Sequence, residues 1–456
     1  MRPPVATVGW LAAASIGCAA GPLLAQELPH DVPVLPPPAA TEALEATDFA
    51  PTTTVNLQIN GALGGLQYSG SERDSASNTG DGAPLLNGVS FNHEARLTID
   101  TSFTGQDLFR IRFRSGNFAR SGFFSNPPTP LTRLDFAFQE PACGRSEGAC
   151  PTGLITINRA YLQLPLSREI RFTIGARVMQ LDMLPVWPSV YNASPILDLF
   201  QYAGAPGAYG KRLGGGFGVW WQPGGDLRGL SLGYAYVAGR AGGTPQGGGL
   251  FGGASSQTST LQLALSRPQW NVTAAYSLSG PQVRLRGTPL ASQLAAGAGE
   301  RSLGSLSLAG YWQPRRSGWL PSVSAGWGHD TFRFASYPAP GLSEVRSRSW
   351  YTGLVWSDVL GVGNSLGLAV GSPAHVSAIQ TPTTSSIDDR GLAFEVFYRI
   401  QLSDELSLTP AVFWLPRPRG ALTGSSDVSE ALRFPPASGE ASLGVWAGLI
   451  RTTLRF

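Results

Sequence analysis

Residues 107–118 read DLFRIRFRSGNF. Phe109, Ile111 and Phe113 alternate with Arg110, Arg112 and Arg114. Successive side chains of an extended strand point to opposite faces, so one face is apolar and the other is a row of guanidinium groups. Arginine stays charged and is held by forked hydrogen bonds. The chemistry on offer is therefore electrostatic rather than bond-making. The same alternation puts Glu94, Arg96, Asp100, Arg159, Tyr161, Arg171 and Arg177 on the polar faces of neighbouring strands, with Glu395 and Arg399 on a later one. Adjacent strands lie about 4.8 Å apart, so the early group forms one continuous basic patch. Like charges would repel, and Glu94 and Asp100 are expected to neutralise part of the ladder.

Bond-making chemistry finds little support. GNSLG at 363–367 fits G-x-S-x-G, but Ser365 opens a strand with Leu366, Leu368 and Val370 on one face. A nucleophile elbow needs a strand-to-helix turn. The four histidines are scattered without metal-ligand spacing. No catalytic residue, metal site or cofactor is read, and the expectation is that the chain is not an enzyme. A net charge of +3 without a basic run gives no reason to expect nucleic acid. Lys211 is the only lysine, a bias that genome composition explains.

The elements that must carry these side chains are strands. The chain has 456 residues, only 14% of them charged, with 57 Gly and 36 Pro. An N-terminal charge, an apolar run and small residues give the pattern of a secretory signal peptide, read here as residues 1–25, with cleavage after Ala20 or Ala25. Residues 26–51 are Pro-rich and aperiodic and read as a periplasmic linker. Cys143 and Cys150 are expected to form a small disulfide in an exported chain. From Thr52 alternation persists to the last residue. Seven short turns interleave with eight long Gly/Ser/Pro-rich loops, among them 115–152, 179–211, 371–389 and 416–440, and join sixteen strands. The piece RLDFAF (133–138) falls in the second long loop.

Alternation alone leaves open which face is wet. A soluble sandwich buries its apolar face; an outer-membrane barrel shows that face to lipid. Export, the strict alternation of loops and turns, and a terminal strand LIRTTLRF ending on Phe456 favour an all-β transmembrane antiparallel barrel of about sixteen strands over residues 52–456. A secreted soluble β-protein that binds a ligand is the alternative. In a barrel, Phe109, Ile111 and Phe113 touch lipid and the arginines face the lumen. Tryptophans such as Trp220, Trp270, Trp414 and Trp446 would supply interfacial girdles, or simply pack locally. The third long loop (180–213) is the candidate constriction, carrying Asp182, Tyr191 and Asp198. Ser194 and Pro195 are a plausible N-cap and first turn of a helix there. The loop either folds inward, facing its acids to the arginine wall, or covers the outer mouth.

The run ARLTIDTSFTGQDLFRIRFRSGN (95–117) resembles the first barrel hairpin of the cyanobacterial outer-membrane porins, the iron-uptake or carbohydrate-selective OprB-like group. INRAYLQLPL, LSLGYAYVAG, FEVFYRIQLSDELSLTPAVFWL and IRTTLRF follow in that family's order. The resemblance implies a passive channel for small hydrophilic solutes, carbohydrates or inorganic ions including iron, in the bacterial outer membrane. Members commonly carry an S-layer-homology domain before the barrel, and no such pattern fits here. The expected partners are outer-membrane lipid, the solutes and the barrel-assembly machinery, with Phe456 as assembly signal. Porins of this size are often trimers, so a homotrimer is a further expectation. A mainly structural barrel of low permeability is the other reading kept open.

Overall fold

The computed structural model describes residues 51–70, 88–119, 121–124, 129–138, 154–191, 195–244, 247–280, 283, 285–297, 302–316, 318–334, 343–380, 384–385, 387–422 and 442–456. The signal peptide, the linker, the Cys143/Cys150 pair and Ser194 lie outside them. The wall consists of β1 (Thr52–Ser69), β2 (Val89–Ser102), β3 (Leu108–Gly116), β4 (Thr156–Pro165), β5 (Ile170–Met179), β6 (Leu213–Trp221), β7 (Leu230–Ala238), β8 (Gln257–Arg267), β9 (Trp270–Ser279), β10 (Ser302–Trp312), β11 (Ser322–Arg333), β12 (Glu344–Ser357) and β13 (Ser365–Gln380). A two-residue strand, β14 (Thr384–Ser385), precedes β15 (Ala393–Gln401), β16 (Leu406–Leu415) and β17 (Gly444–Arg455). Setting β14 aside, sixteen antiparallel strands span the wall, each paired with its neighbours in sequence, and β1 pairs with β17 to close the barrel.

Closure is complete to the last residue. Leu57 and Phe456 exchange backbone hydrogen bonds of 2.9 and 3.0 Å. A closed ladder leaves no unpaired edge, the condition for a β-structure to cross hydrocarbon. The outward residues are apolar: Leu63, Ile174, Leu263, Leu308 and Val412 are among the exposed ones. Aromatic side chains gather at both rims. At the long-loop end Phe394, Trp414 and Trp446 stack in series, with centroids 5.2 and 5.0 Å apart. At the turn end Trp312 pairs with Trp270. Trp220 departs from the girdle expectation: it points inward, 5% exposed.

Two other expectations need correction. The strand expected to end near residue 370 runs on as β13 to Gln380, where its upper part packs under a short helix, α1 (Pro289–Gly297), from the fifth long loop. And β5 contains a bulge: Gly175 pairs with Gly216 but Val178 with Gly214. An extra residue flips the faces beyond it. Val178 therefore turns inward and is fully buried. Arg177 pairs with Ala160, on the face opposite that of its neighbour Tyr161, and so leaves the lumen. No helix among the described residues is long and apolar enough to cross a membrane.

The outward apolar band has a direct test. Leu263, at the middle of β8, is expected to tolerate a charge poorly. Leu263→Arg should cost about 2–4 kcal/mol, whereas Val89→Arg at the rim should cost about 0–1. Denaturant titration of tryptophan fluorescence in lipid vesicles reads both.

Candidate functional site

The inner face of the barrel divides in two. β6, β7, β9 and β10 contain no charged residue, and β8 only Arg267 at its turn end. Their inward positions include glycines, alanines and small hydroxyl residues, and some of the hydroxyls bond across strands, as Thr258 does with Ser279 (2.9 Å) and Thr260 with Ser277 (2.8 Å). The other half carries the arginines. Arg110 forms a fork with Asp100, both contacts 2.7 Å. Arg112 donates to Thr98 Oγ1 at 3.1 Å. Arg114 and Arg96 both reach Glu94 Oε1, at 2.6 and 3.1 Å. Glu94 and Asp100 thus partly neutralise the ladder.

The third long loop (180–212) folds into the barrel and lies against the neutral half. Gln180 donates to Thr260 Oγ1 and to the Ala208 carbonyl, and Ser277 Oγ donates to that same carbonyl at 2.7 Å. The backbone N–H groups of Val190 and Tyr191 donate to Ser324 Oγ on β11. Tyr351 Oη donates to Ser189 Oγ at 2.7 Å. The approach is close enough to need glycine on the wall. A Cβ on Gly326 would collide with the Ala203 carbonyl, and one on Gly353 with the Tyr191 ring.

The loop is not built as its sequence suggested. In place of a helix begun at Pro195, the chain bends at Ile196, Leu197 is extended, and a 3-10 turn starts at Asp198 (Asp198–Tyr202). The reason is a better set of partners. Leu197 forms a β-bridge with Leu134 of the second loop, and the N–H groups of Asp135 and Asp198 donate to the Ile196 and Arg133 carbonyls, each at 2.9 Å. The RLDFAF segment therefore enters the lumen as a second layer, with Leu134 and Phe136 buried.

Glu395 is a second correction. Alternation puts it on the water-facing wall, and it does point inward, but it is 1% exposed. It accepts from the N–H groups of Ile196 (3.1 Å) and Leu197 (2.7 Å) and from Tyr191 Oη (2.7 Å). It anchors the loop rather than meeting solvent. Arg159 and Tyr161 are likewise covered, each 1% exposed. Arg159 Nε meets Asp182 Oδ2 at 2.5 Å, and that oxygen also accepts from the Met179 N–H at 2.8 Å. Arg171 stays at the turn end, donating to the Gln106 carbonyl.

The ion pairs that Asp198 makes are to loop cations rather than to wall arginines. Loop cations surround it: Arg286 at 3.4 Å, Lys211 at 3.5 Å and Arg133 at 3.6 Å. Burial would push its carboxyl up, but Lys211, Arg286 and Arg133 outweigh that and hold it below the usual carboxylate range.

With the third loop on the neutral half, a gap of about 180 Å³ is left along the basic half. Gln58, Asn60, Arg96, Arg114, Arg399 and Arg451 are on its wall side, and Asp135, Phe136, Trp187, Asp198, Lys211 and Arg286 on its loop side. Eight Arg or Lys side chains line it against two carboxylates. Arg451 and Arg455 were absent from the ladder read in the sequence, although they alternate with Ile450 and Leu454 as plainly as the early arginines do. Arg133, Lys211 and Arg286 come from three different loops, and only the fold brings them together.

No family model matches the chain. It is 27% identical over 350 residues to an uncharacterized protein of Synechocystis sp., covering 71% of this chain, and 25% identical over 410 residues to one of Nostoc sp., covering 83%. The aligned regions span 59% and 64% of those relatives' own lengths. Among solved structures, OprB of Pseudomonas putida superposes with a TM-score of 0.51 at 10% identity, covering 89% of this chain and 94% of that one. An anion-selective porin of Comamonas acidovorans gives 0.50 at 10% identity, covering 89% and 100%. At these identities the likeness is one of fold: a closed sixteen-stranded barrel of porin type.

Proposed function

We propose that this chain is an outer-membrane porin that passes small hydrophilic solutes by diffusion and prefers anions. One observation carries the reading: the gap between loop and wall runs along the basic half, and its lining is positive by six charges. Counting Glu94 as a third acid still leaves an excess of five. Charged side chains at a constriction set selectivity. Hydroxyl-rich neutral solutes such as sugars, and inorganic ions including iron in an anionic form, fit the same lining. The similarity to proteins of two cyanobacteria supports a place near the cyanobacterial porins. Export by a signal peptide and residence in the outer membrane belong to this proposal, as do the roles of Arg96, Arg114 and Arg399 as lining residues and of Phe456 in assembly. The outward apolar band speaks against a soluble exported β-protein.

Purified protein in a planar bilayer is expected to conduct in KCl. Its reversal potential in a KCl gradient should have the sign of anion preference. Arg114→Gln should move that potential toward zero. Strong cation preference, unchanged by Arg114→Gln, would overturn the account. A folded, heat-modifiable barrel with negligible conductance would favour a mainly structural role instead.

The loop anchor gives a second measurement. Glu395→Ala removes the acceptor of three donors, a loss of about 1–3 kcal/mol for each buried donor left unpaired. The third loop should loosen, so single-channel conductance should rise and limited proteolysis within residues 180–212 should quicken. Conductance equal to wild type would show that the loop holds its place without Glu395.

A further inference from the structure

We infer that the outward face of β11 and β12, just above the aromatic rim at the long-loop end, binds the anionic headgroup of a membrane lipid through its phosphate. The inference rests on the reading of the chain as an outer-membrane barrel with its long loops outside. Across the β11–β12 ladder His329 lies opposite Arg348, Thr331 opposite Arg346 and Arg333 opposite Glu344. The alternate residues Asp330, Phe332, Ser347 and Ser349 are buried toward the interior, so these three pairs look outward. Three arginines and one carboxylate therefore share one patch of the outer surface. None of them lines the gap between loop and wall.

The patch keeps an excess of positive charge. Glu344 meets Arg346 Nε at 2.8 Å and Arg333 Nε at 3.6 Å, and those two arginine side chains stay 55% and 63% exposed. Arg348 is exposed and has no carboxylate at ion-pair distance among the described residues. The stretch that joins the two strands, 334–343, contains no charged residue. In the next long loop Asp388 is engaged elsewhere, by Arg390 and Arg417.

Position decides the kind of anion. Directly below the arginines the same face turns aromatic and apolar. The His329 ring stacks on Trp327 with centroids 6.0 Å apart, and Trp327 pairs with Trp350. Leu306 and Leu308 on β10 lie across from His329 and Trp327, and both are exposed. Indole rings settle at headgroup level, and a charge on the lipid face costs least near that level. Guanidinium forks match phosphate oxygens two at a time. A phosphate that carries acyl chains can meet Arg346 and Arg348 with its oxygens and Leu306 and Leu308 with its chains. A free phosphate ion gains only the first of these contacts.

Lipid retention by the full-length protein in detergent tests this. With phosphatidylglycerol and phosphatidylcholine added in equal amounts, native mass spectrometry is expected to show saturable, preferential retention of phosphatidylglycerol, because the choline cation cancels the charge of the other headgroup. Arg346→Gln and Arg348→Gln should each weaken that retention about fivefold. Arg168→Gln, at an exposed position of the opposite rim, should leave it unchanged. Heat-modifiable migration on gels shows that the variants are folded. Equal retention of both lipids, or retention unaltered in the Arg346→Gln/Arg348→Gln double variant, overturns the inference. Glycerol phosphate that competes as well as phosphatidylglycerol overturns it too, since the site would then be one for a free anion. An oligomer that dissociates in Arg348→Gln, with no lipid preference, overturns it in favour of a contact between copies of this chain. A channel that conducts KCl without any lipid preference overturns the inference and leaves the porin reading intact. Retention through Arg348 by a barrel that does not conduct upholds the lipid site and overturns the porin reading.

Discussion

Every backbone amide in the hydrocarbon layer must find its partner within the protein, and the rest of this structure follows from that demand. A closed ladder meets it. Closure imposes a period of two on the side chains, and the period sorts the chain into an apolar exterior and a polar interior. Leu263 and Gln262 are adjacent in sequence, yet one is half exposed on the outside and the other is fully buried against Tyr209 of the third loop. The barrel then has an interior to furnish, and the two halves are furnished differently.

Size and charge divide that work. Serine, threonine and glycine on β6–β13 leave room for a loop backbone to lie close, and hydroxyls satisfy its amides and carbonyls. Long cations occupy the other half, where the loops meet the wall through particular side chains, Asp182 at Arg159 and the Ile196 and Leu197 amides at Glu395. A bulkier neutral half would push the third loop toward the arginines and close the gap. The position of the gap is therefore set as much by the small residues opposite it as by the charges that line it.

Much of this was legible in sequence because both faces of a strand are written in alternation. The strand count, the alternation of turns and loops, the inward set of Arg110, Arg112 and Arg114, and the loop status of RLDFAF all come from local pattern. The rest depends on contacts distant in sequence. Glu395 reads as a wall charge because its partners, Tyr191, Ile196 and Leu197, are some two hundred residues away. Arg177 reads as inward because a single extra residue in β5 leaves no mark on the period. The helix expected after Pro195 gave way to a bridge with Leu134 that no local signal announces. Arg451 and Arg455 were visible in the same alternation, but LIRTTLRF was read for its terminal phenylalanine rather than for its polar face.

The pairing of Leu57 with Phe456 has a consequence for the order of events. The free edge of the first strand is satisfied by β17, so the contact that shuts the cylinder joins the first and last strands of the wall across the whole barrel sequence. Contacts of that kind form late. β15, which carries Arg399, and β17, which carries Arg451 and Arg455, lie close to or at this junction. The exposed β1 edge must be kept from pairing with other molecules until β17 arrives, and loss of β17 would remove both the seal and two of the arginines that line the gap, Arg451 and Arg455, in one stroke.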